Sequence, residues 1–253
     1  MSYGERRMNV ILEELRRNQR VQVADLSEML GVSQESIRRD LKEMEARGHL
    51  RRVYGGAVAD EKEADRPYSD RLRLAMREKI RIGQAAAALI ENGMKVFIDT
   101  GTTAVACLRH LGDCRNVTVV SNSVAIAAYL CERPEIGFRM LGGRLRPEYQ
   151  AVYGHETMTA LREHYFDLAL LGISTVHLDR GFMDFGEDEA ELRRIARDRA
   201  RRSVVLADSS KFGRLGSIHT FDLDQAGGII TSGVVPADFT ARLQQLNVDL
   251  IHA

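Results

Sequence analysis

The chain has 253 residues, of which 44% are hydrophobic, and its 36 basic and 36 acidic residues give a formal net charge of zero. This length suits one large domain, or a small domain joined to a medium one, with enough apolar residues for a core. The three cysteines show no CxxC spacing, which argues against a disulfide scaffold or a zinc knuckle. The N-terminus lacks the apolar segment of a signal peptide, and no apolar run is long enough to cross a bilayer. We therefore expect a cytoplasmic protein with no membrane partner.

The sequence changes character twice along the chain. Residues 1–57 combine dense charge with short apolar stripes at helical spacing. Residues 58–75 form a polar stretch with a proline, which predicts a linker. From residue 76 to residue 253, apolar runs alternate with helical patterns. These changes predict a small N-terminal domain (1–57), a linker (58–75) and a larger C-terminal domain (76–253).

Two short helices are predicted in the N-terminal part. Residues 23–30 carry apolar side chains at helical spacing, and Gly31 is suited to end that helix in a left-handed conformation. Ser33 offers a hydroxyl cap to a second helix, whose apolar stripe runs from Ile37 to Met44. Two helices joined by a tight glycine turn form a helix-turn-helix, in which the second helix reaches DNA bases.

The run HLRRVYGGA, residues 49–57, follows this motif and predicts a β-hairpin wing that approaches the minor groove or the DNA backbone. Residues 1–57 contain 11 basic and 9 acidic residues, so the prediction of DNA binding rests on pattern and not on total charge. A small helical interaction domain with a solvated charged face is the alternative. The predicted DNA contacts are Ser33, Gln34, Glu35, Ser36, Arg38, Arg39, Arg51, Arg52 and Tyr54.

Six apolar runs in the C-terminal part predict β-strands. They lie at residues 95–99, 117–122, 138–143, 168–173, 203–208 and 228–233. Helical patterns, such as those of residues 77–93 and 188–202, lie between most of them. Apolar runs bounded by helices favour strands that are buried on both faces, so we expect an α/β domain with a mostly parallel sheet.

The ends of five predicted strands carry glycines, hydroxyls and amides, a composition typical of an anion site. Glycine lets backbone amides approach an anion, hydroxyls donate to phosphate oxygens, and parallel strands bring their carboxyl ends to one edge. Asp99 has two interpretations that the sequence leaves open, binding of a sugar hydroxyl or capping of its own turn. The candidate ligand residues are Asp99, Thr100, Gly101, Thr102, Thr103, Ser121, Asn122, Ser123, Gly142, Gly143, Arg144, Gly172, Ser174 and Lys211.

The run SQESIRRDLKEMEARGHLRRVYGGA, residues 33–57, resembles the winged helix of the DeoR/GlpR family of bacterial transcriptional repressors. The runs FIDTGTT, VVSNS, LGGRL and LADSSKFG are similar to the effector domain of that family, so the resemblance covers nearly the whole chain. It implies a winged helix-turn-helix followed by a ribose-5-phosphate-isomerase-like α/β domain that binds phosphorylated sugars or polyols. It also favours a ligand role for Lys211, and it adds Glu189 at the acidic position of the family.

The runs LLGIS and DFGEDEAELRR are similar to the branch of the family that responds to glycerol 3-phosphate. The chain departs from the family pattern at two places. Members commonly carry a glycine and an aspartate just after the fourth strand, where this chain reads Thr175-Val176-His177. A family-typical lysine in the next helix is replaced by Arg193. Both changes bear on the identity of the effector.

The leading hypothesis is a repressor that binds double-stranded operator DNA as a homo-oligomer, a dimer or a tetramer, and leaves it when a phosphorylated effector binds. A sugar-phosphate isomerase-like enzyme with a DNA-binding appendage is the rival, although no acid/base pair is visible as a motif. Redox sensing through Cys107 and Cys114 is a third, weaker option. No cofactor fingerprint and no metal-ligand spacing of histidines occurs, so we expect neither a cofactor nor a metal.

Overall fold

The computed structural model describes residues 7–8, 10–12, 14–15, 20–46, 49–58, 68–112 and 114–253. Contacts divide the chain into a smaller unit, Met1–Asp65 with Arg73–Met76, and a larger unit, Arg66–Leu72 with Arg77–Ala253. Within the described ranges, no helix is both long and apolar enough to span a membrane.

The smaller unit is a helix-turn-helix with a three-stranded sheet. Its elements are β1 (Arg20–Gln22), α1 (Val23–Leu30), α2 (Gln34–Ala46), β2 (Arg51–Val53) and β3 (Gly56–Val58). Gly31 ends α1 with a φ of 62°, a conformation that glycine adopts at little cost. The strands β2 and β3 form an antiparallel hairpin, and β1 pairs with the other edge of β3. The apolar stripes of both helices share one core, so the predicted winged helix-turn-helix is confirmed.

The larger unit contains the strands β4 (Lys95–Ile98), β5 (Thr118–Ser121), β6 (Gly137–Met140), β7 (Arg144–Arg146), β8 (Ala151–Tyr153), β9 (Phe166–Gly172), β10 (Thr175–His177), β11 (Gly181–Asp184), β12 (Ala200–Asp208), β13 (Ile218–Phe221), β14 (Ile229–Ser232) and β15 (Leu250–His252). Seven of these strands form one sheet in the order β15-β14-β12-β9-β4-β5-β6, and every neighbouring pair is parallel. All six predicted strands belong to it, which confirms the predicted α/β domain.

The remaining helices are α3 (Tyr68–Arg73), α4 (Met76–Ala87), α5 (Thr102–Leu108), α6 (Val124–Leu130), α7 (His155–Arg162), α8 (Glu187–Asp198) and α9 (Ala237–Gln245). The helix α3 lies inside the segment for which the sequence predicts a linker, of which residues 59–67 are outside the described ranges. Its first residue is fixed in the larger unit, because Tyr68 is buried and its backbone N–H donates to the carbonyl of Glu148 at 3.2 Å.

Both faces of the seven-stranded sheet are covered. Along β4, Phe97 packs into one apolar cluster, whereas its neighbours Val96 and Ile98 pack into a second cluster on the opposite face. Leu171 and Leu170 of β9 divide in the same way. Successive side chains of a strand point to opposite faces, so this division explains why the strands read as continuous apolar runs.

The strand order reverses between β4 and β9. From β4 the chain proceeds outward through β5 to β6, then returns to the other side of β4 at β9 and continues through β12 and β14 to β15. In an open parallel sheet, ligands bind in the crevice at the carboxyl ends of the two strands that flank such a reversal. Here those ends carry Asp99 after β4 and Gly172 at the end of β9.

Three features of the larger unit were not predicted. The strand β15 extends the main sheet at its edge, and β10, β11 and β13 form a separate antiparallel sheet. The third feature is the antiparallel pair of β7 and β8. Most of these strands carry a polar or charged residue within their three or four positions, so they lack the continuous apolar run that predicts the other six.

Candidate nucleic-acid interface and ligand site

The predicted DNA contacts at the start of α2 are largely exposed. Ser33 caps the helix, because its hydroxyl accepts the backbone N–H of Ser36 at 3.2 Å. Ser36 is half-buried, and its hydroxyl lies 3.0 Å from that of Ser33. Gln34, Glu35 and the two arginines of this turn are exposed. The cap fixes the start of the helix, and the exposed side chains are available to a partner.

The two arginines of α2 differ in their contacts. The guanidinium of Arg38 lies on its own helix, 3.1 Å from the side-chain oxygen of Gln34 and 3.4 Å from a carboxylate oxygen of Glu35. Arg39 forms no hydrogen bond or ion pair with any residue that the structure describes. Of the two arginines, Arg39 is therefore the one whose guanidinium is not paired with a described residue.

The wing is anchored to α2 through one arginine. The backbone N–H and the Nε of Arg52 both donate to the carboxylate of Glu45, each at 2.8 Å. Arg51 is exposed, and Tyr54, at the turn of the hairpin, is fully exposed. A groove of about 710 Å³ lies between α2 and the wing, with Gln34 among its lining residues. Arg52 thus joins the wing to α2, while Arg51 and Tyr54 extend from it.

A buried ion pair below α2 was not predicted. Asp40, which is 3% exposed, accepts two hydrogen bonds from the guanidinium of Arg7, the one from Nη2 at 2.9 Å. A buried carboxylate needs such a partner, because burial removes its hydration. No local sequence pattern joins Arg7 to Asp40, since 33 residues separate them.

At the strand-order reversal, Asp99 is a structural acceptor. Its Oδ1 accepts the backbone N–H of Thr100 at 2.7 Å. Its Oδ2 accepts the backbone N–H of Gly172 and the Nε of Arg193, both at 2.8 Å. The carboxylate therefore ties the end of β4 to the end of β9 and to α8. The contact with Thr100 is a capping of its own turn, the second of the two interpretations that the sequence leaves open.

Arg193 connects a group of buried carboxylates. Besides Asp99, its guanidinium pairs with Asp184 at the end of β11. Asp184 also accepts the hydroxyl of Ser174 at 2.7 Å and that of Thr220 at 2.8 Å. The predicted residues Asp99, Gly172 and Ser174 are thus brought together, but sequence reasoning missed Asp184 and gave Arg193 no site role.

The hydroxyls of the Thr100–Thr103 turn have few partners within the protein. Gly101 precedes α5, whose first two residues, Thr102 and Thr103, are both buried. Neither threonine hydroxyl forms a hydrogen bond with another described residue. The Thr100 hydroxyl lies 3.3 Å from the phenol oxygen of Tyr153. This turn therefore has hydroxyl donors that no other described residue uses, and their use by an anion stays a prediction.

The neighbouring turn after β5 is buried and partly satisfied. Ser121 Oγ accepts the backbone N–H of Ser123 at 3.0 Å, and Ser123 Oγ caps α6. The side-chain nitrogen of Asn122 donates to the carbonyl of Val152 at 2.8 Å. The side-chain oxygen of Asn122 is buried and has no hydrogen-bond partner among the described residues. Because an unsatisfied buried acceptor is costly, this oxygen is a candidate ligand contact.

The other predicted residues lie around β7, β8 and the end of β12. Gly142, Gly143 and Arg144 are exposed, and Gly143 has a φ of 143° with no room for a Cβ against Thr157. Arg144 pairs in register with Tyr153, whose phenol oxygen lies beside Thr100, so this loop lies near the Thr100–Thr103 turn. Lys211 is half-buried in a 3-10 helix that follows β12.

A cavity of about 310 Å³, which the sequence did not predict, lies beside the Thr100–Thr103 turn. Its lining residues come from the β7–β8 region and the start of α8: Arg146, Tyr149, Tyr153, Gly186, Glu187, Asp188 and Glu189. Only Glu189 had been predicted, from the family resemblance. Tyr149 and Tyr153 follow the LGGRL run closely in sequence, but nothing in their spacing distinguishes them from ordinary strand or turn aromatics.

Glu189 is 7% exposed, and burial raises its pKa to about 7. Arg193, 3.8 Å away, opposes this rise, whereas the negative charge of Asp184 adds to it. Burial also raises the pKa of Tyr153, with the nearby charge of Glu189 as the next cause. The phenol therefore remains a hydrogen-bond donor at neutral pH.

Of the two cysteines in the redox hypothesis, Cys107 is buried and Cys114 is half-buried. Cys107 is fully buried, and burial raises the pKa of its thiol to about 12, which disfavours the reactive thiolate. Among the residues with a described placement, no group of three or more His, Cys, Asp or Glu side chains could hold a metal ion.

Two family models match the chain. The DeoR-like helix-turn-helix domain matches residues 7–63, and the DeoR C terminal sensor domain matches residues 74–233. Similar proteins include the putative aga operon transcriptional repressor of Escherichia coli O157:H7, 34% identical over 97% of this chain and 92% of that protein. The HTH-type transcriptional repressor GlcR of Bacillus subtilis is 31% identical over 98% of this chain and 96% of that protein. The glycerol-3-phosphate regulon repressor of Escherichia coli K12 is 28% identical over 96% of this chain and 97% of that protein.

Solved structures similar to the chain include ribose 5-phosphate isomerase A from Methanocaldococcus jannaschii. The TM-score is 0.39, with 22% identity over 54% of this chain and 55% of that one.

Glu45→Ala tests the anchoring of the wing. Removing a negative charge from a DNA-binding surface alone strengthens binding, whereas loss of the contacts to Arg52 frees the wing and weakens it. We expect the second effect to dominate and operator binding to weaken by about 1 kcal/mol, measured by fluorescence anisotropy. Glu28→Ala, an exposed acid on α1, removes the same charge and should bind as well as the parent or better. If Glu45→Ala and Glu28→Ala both bound the operator more tightly than the parent, the proposed anchoring of the wing by Glu45 would be wrong.

Glu189→Gln tests the raised pKa through the pH dependence of stability. The unfolded chain has a Glu189 pKa near 4.5 and the folded chain one of about 7, so the folded state binds more protons in this window. The contribution of Glu189 to the free energy of unfolding therefore falls as the pH rises from about 4.5 to about 7. Between pH 5 and pH 8, the parent should lose about 2 kcal/mol more than Glu189→Gln in urea unfolding. Parallel pH profiles would contradict the raised pKa.

Proposed function

Because the chain belongs to the DeoR family of transcriptional repressors, we propose that it represses a carbohydrate or polyol catabolic operon and leaves operator DNA when a phosphorylated effector binds. Its relatives are named as transcriptional repressors, so the chain is a transcriptional regulator and not an enzyme. One observation carries the proposal: a winged helix-turn-helix and a crevice with uncommitted threonine hydroxyls occur in one chain.

The smaller unit is the proposed DNA reader. The exposed first turns of α2 would enter the major groove, where Gln34 and Arg39 can reach base edges or phosphates. Tyr54 and Arg51 on the wing would contact the adjacent backbone or minor groove. A homo-oligomer, a dimer or a tetramer, would place two α2 helices at two half-sites of a repeated or palindromic operator.

The larger unit is the proposed effector sensor. Thr102 and Thr103 would donate hydroxyl hydrogen bonds to a phosphate at the strand-order reversal, and Asn122 would contribute its unpaired oxygen to a ligand hydroxyl. One relative is named for glycerol 3-phosphate and another for the aga operon. We therefore propose a phosphorylated sugar or polyol as the effector class, with glycerol 3-phosphate as the first candidate.

Release from DNA requires that the effector bind more tightly to the conformation that binds DNA poorly. Titration of the full chain onto the operator near its own gene, with and without glycerol 3-phosphate and other phosphate esters, tests both halves of the proposal. We expect specific DNA binding that a phosphate ester weakens. Unchanged DNA affinity with every phosphate ester would refute the sensing half.

Arg39→Ala tests the DNA interface. Because Arg39 has no partner among the described residues, its removal should cost no intramolecular contact and weaken operator binding by about 1–3 kcal/mol. Arg242→Ala removes the same charge from the exposed surface of α9 and should leave binding unchanged. Equal operator affinity of Arg39→Ala and Arg242→Ala in anisotropy titrations would remove Arg39 from the interface.

Thr102→Val tests the phosphate turn. Valine is nearly isosteric with threonine, so the buried site stays filled while one hydroxyl donor is lost. DNA binding should persist, and the effector concentration for half-release should rise about tenfold or more, because a hydrogen bond to a charged group is worth about 1.5–3 kcal/mol. Thr240→Val on α9 is the matched control. An effector response equal to that of the control would count against the phosphate role.

A further inference from the structure

The cavity beside the Thr100–Thr103 turn contains a carboxylate that receives no hydrogen bond from the described part of the chain. Glu189 is 7% exposed and lines this cavity. Its nearest cation is Arg193, with a nitrogen–oxygen distance of 3.8 Å, beyond hydrogen-bond range. No described residue donates a hydrogen bond to the Glu189 carboxylate. A buried acceptor without a donor is costly, so this carboxylate is suited to accept one from a ligand.

The cavity and the proposed phosphate turn are neighbours through Tyr153. Tyr153 lines it and places its phenol oxygen 3.3 Å from the Thr100 hydroxyl. The ring of Tyr149, another lining residue, meets the Tyr153 ring edge-on at a centroid distance of 6.1 Å. The volume of about 310 Å³ lies at the lower end of the range of ligand pockets, roughly 300–1,000 Å³, and suits a small metabolite. The turn and the cavity therefore share Tyr153 as a common neighbour.

The charges of the lining disfavour a second anion. Three carboxylates line the cavity, those of Glu187, Asp188 and Glu189, against one guanidinium, that of Arg146. Arg146 is already paired with Asp188 at 2.7 Å. A phosphate placed here would face like charges without an uncommitted cation in the lining, whereas hydroxyl groups would find carboxylate acceptors.

One further cation is close enough to matter. The guanidinium of Arg71 lies 5.3 Å from the centre of the Tyr149 ring and 5.8 Å from that of Tyr68. It stacks on these rings and is not among the residues that line the cavity. If a second phosphate drew the Arg71 guanidinium into the cavity, the charge of the lining would no longer disfavour a bisphosphate.

We infer that this cavity receives the uncharged, hydroxyl-rich end of the effector, so that the chain responds to sugar or polyol esters with one phosphate and rejects bisphosphates. The inference rests on the proposed function, which assigns the single phosphate to the Thr100–Thr103 turn. It narrows the effector to monophosphates, with Tyr149, Tyr153 and Glu189 as the residues that select them.

The test uses matched pairs of ligands on the full chain. Glucose 6-phosphate and fructose 6-phosphate are compared with their 1,6-bisphosphates, with glycerol 3-phosphate as the polyol member of the set. Binding is followed by thermal shift and by release of operator DNA. At least one monophosphate should bind, and its bisphosphate counterpart should bind at least tenfold more weakly.

At pH 8, above the Glu189 pKa of about 7, Glu189→Gln should bring the affinities of the two members of the responding pair several-fold closer together, because one repulsive charge is lost. Glu191→Gln, an exposed acid of the same helix that pairs with Arg162, should keep the parent preference. If Glu189→Gln fails to fold, Tyr149→Phe takes its place. That variant keeps the ring, removes a hydroxyl from the cavity, and should weaken binding of the preferred monophosphate several-fold.

The outcomes separate the inference from the proposed function. A bisphosphate that binds as well as its monophosphate, and releases DNA, would overturn the inference while the proposed function stands. An unchanged preference in Glu189→Gln and unchanged affinity in Tyr149→Phe would also overturn it. If no ester of the set binds or releases DNA, the proposed sensing function fails and the inference fails with it.

Discussion

The ligand end of the sheet depends on one buried cation. Arg193 is 4% exposed, and its guanidinium pairs with Asp99 after β4 and with Asp184 at the end of β11. A charge buried to this degree is tolerated only when ionic and hydrogen-bonding partners replace the water it has lost. The same carboxylates hold the backbone of Gly172 and the hydroxyl of Thr220. The crevice between β4 and β9 therefore takes its shape from this ion network as well as from apolar packing.

The network also explains what an arginine achieves at a position where the family pattern has lysine. A guanidinium presents a planar set of donors, so its Nε can bind Asp99 while its Nη1 binds Asp184. An ammonium is a single compact charge and reaches two separated carboxylates less well. Because Asp99 is committed to holding the frame, we propose that a ligand is recognised by groups with unused hydrogen-bonding capacity, among them Thr102, Asn122 and Glu189.

The sequence predicted the elements with strong local signals and missed the contacts made over long separations. Six strands of the main sheet and the helix that ends at Gly31 follow from apolar runs and turn residues, which act within a few positions. Arg193 and Asp99 are 94 residues apart, and Tyr153 reaches Thr100 across 53, so only the topology of the sheet brings them together. Helix α3 was missed because its six residues are mostly charged or polar and follow a proline. Local sequence signals therefore predict the strands and helices around this site better than the side chains that line it.

In both units, the polar groups that hold the frame are distinct from those to which we assign a partner. Arg7 donates hydrogen bonds to the buried Asp40 of α2. Arg39, next to Asp40 on that helix, has no partner in the described chain. In the larger unit, Asp99 is saturated with donors, but the side-chain oxygen of Asn122 and the carboxylate of Glu189 are not. Each such unsatisfied group costs about 1–3 kcal/mol of stability. We propose that a ligand which donates to them removes this cost only in the conformation that it binds. This difference would supply the unequal affinity that the proposed release from DNA requires.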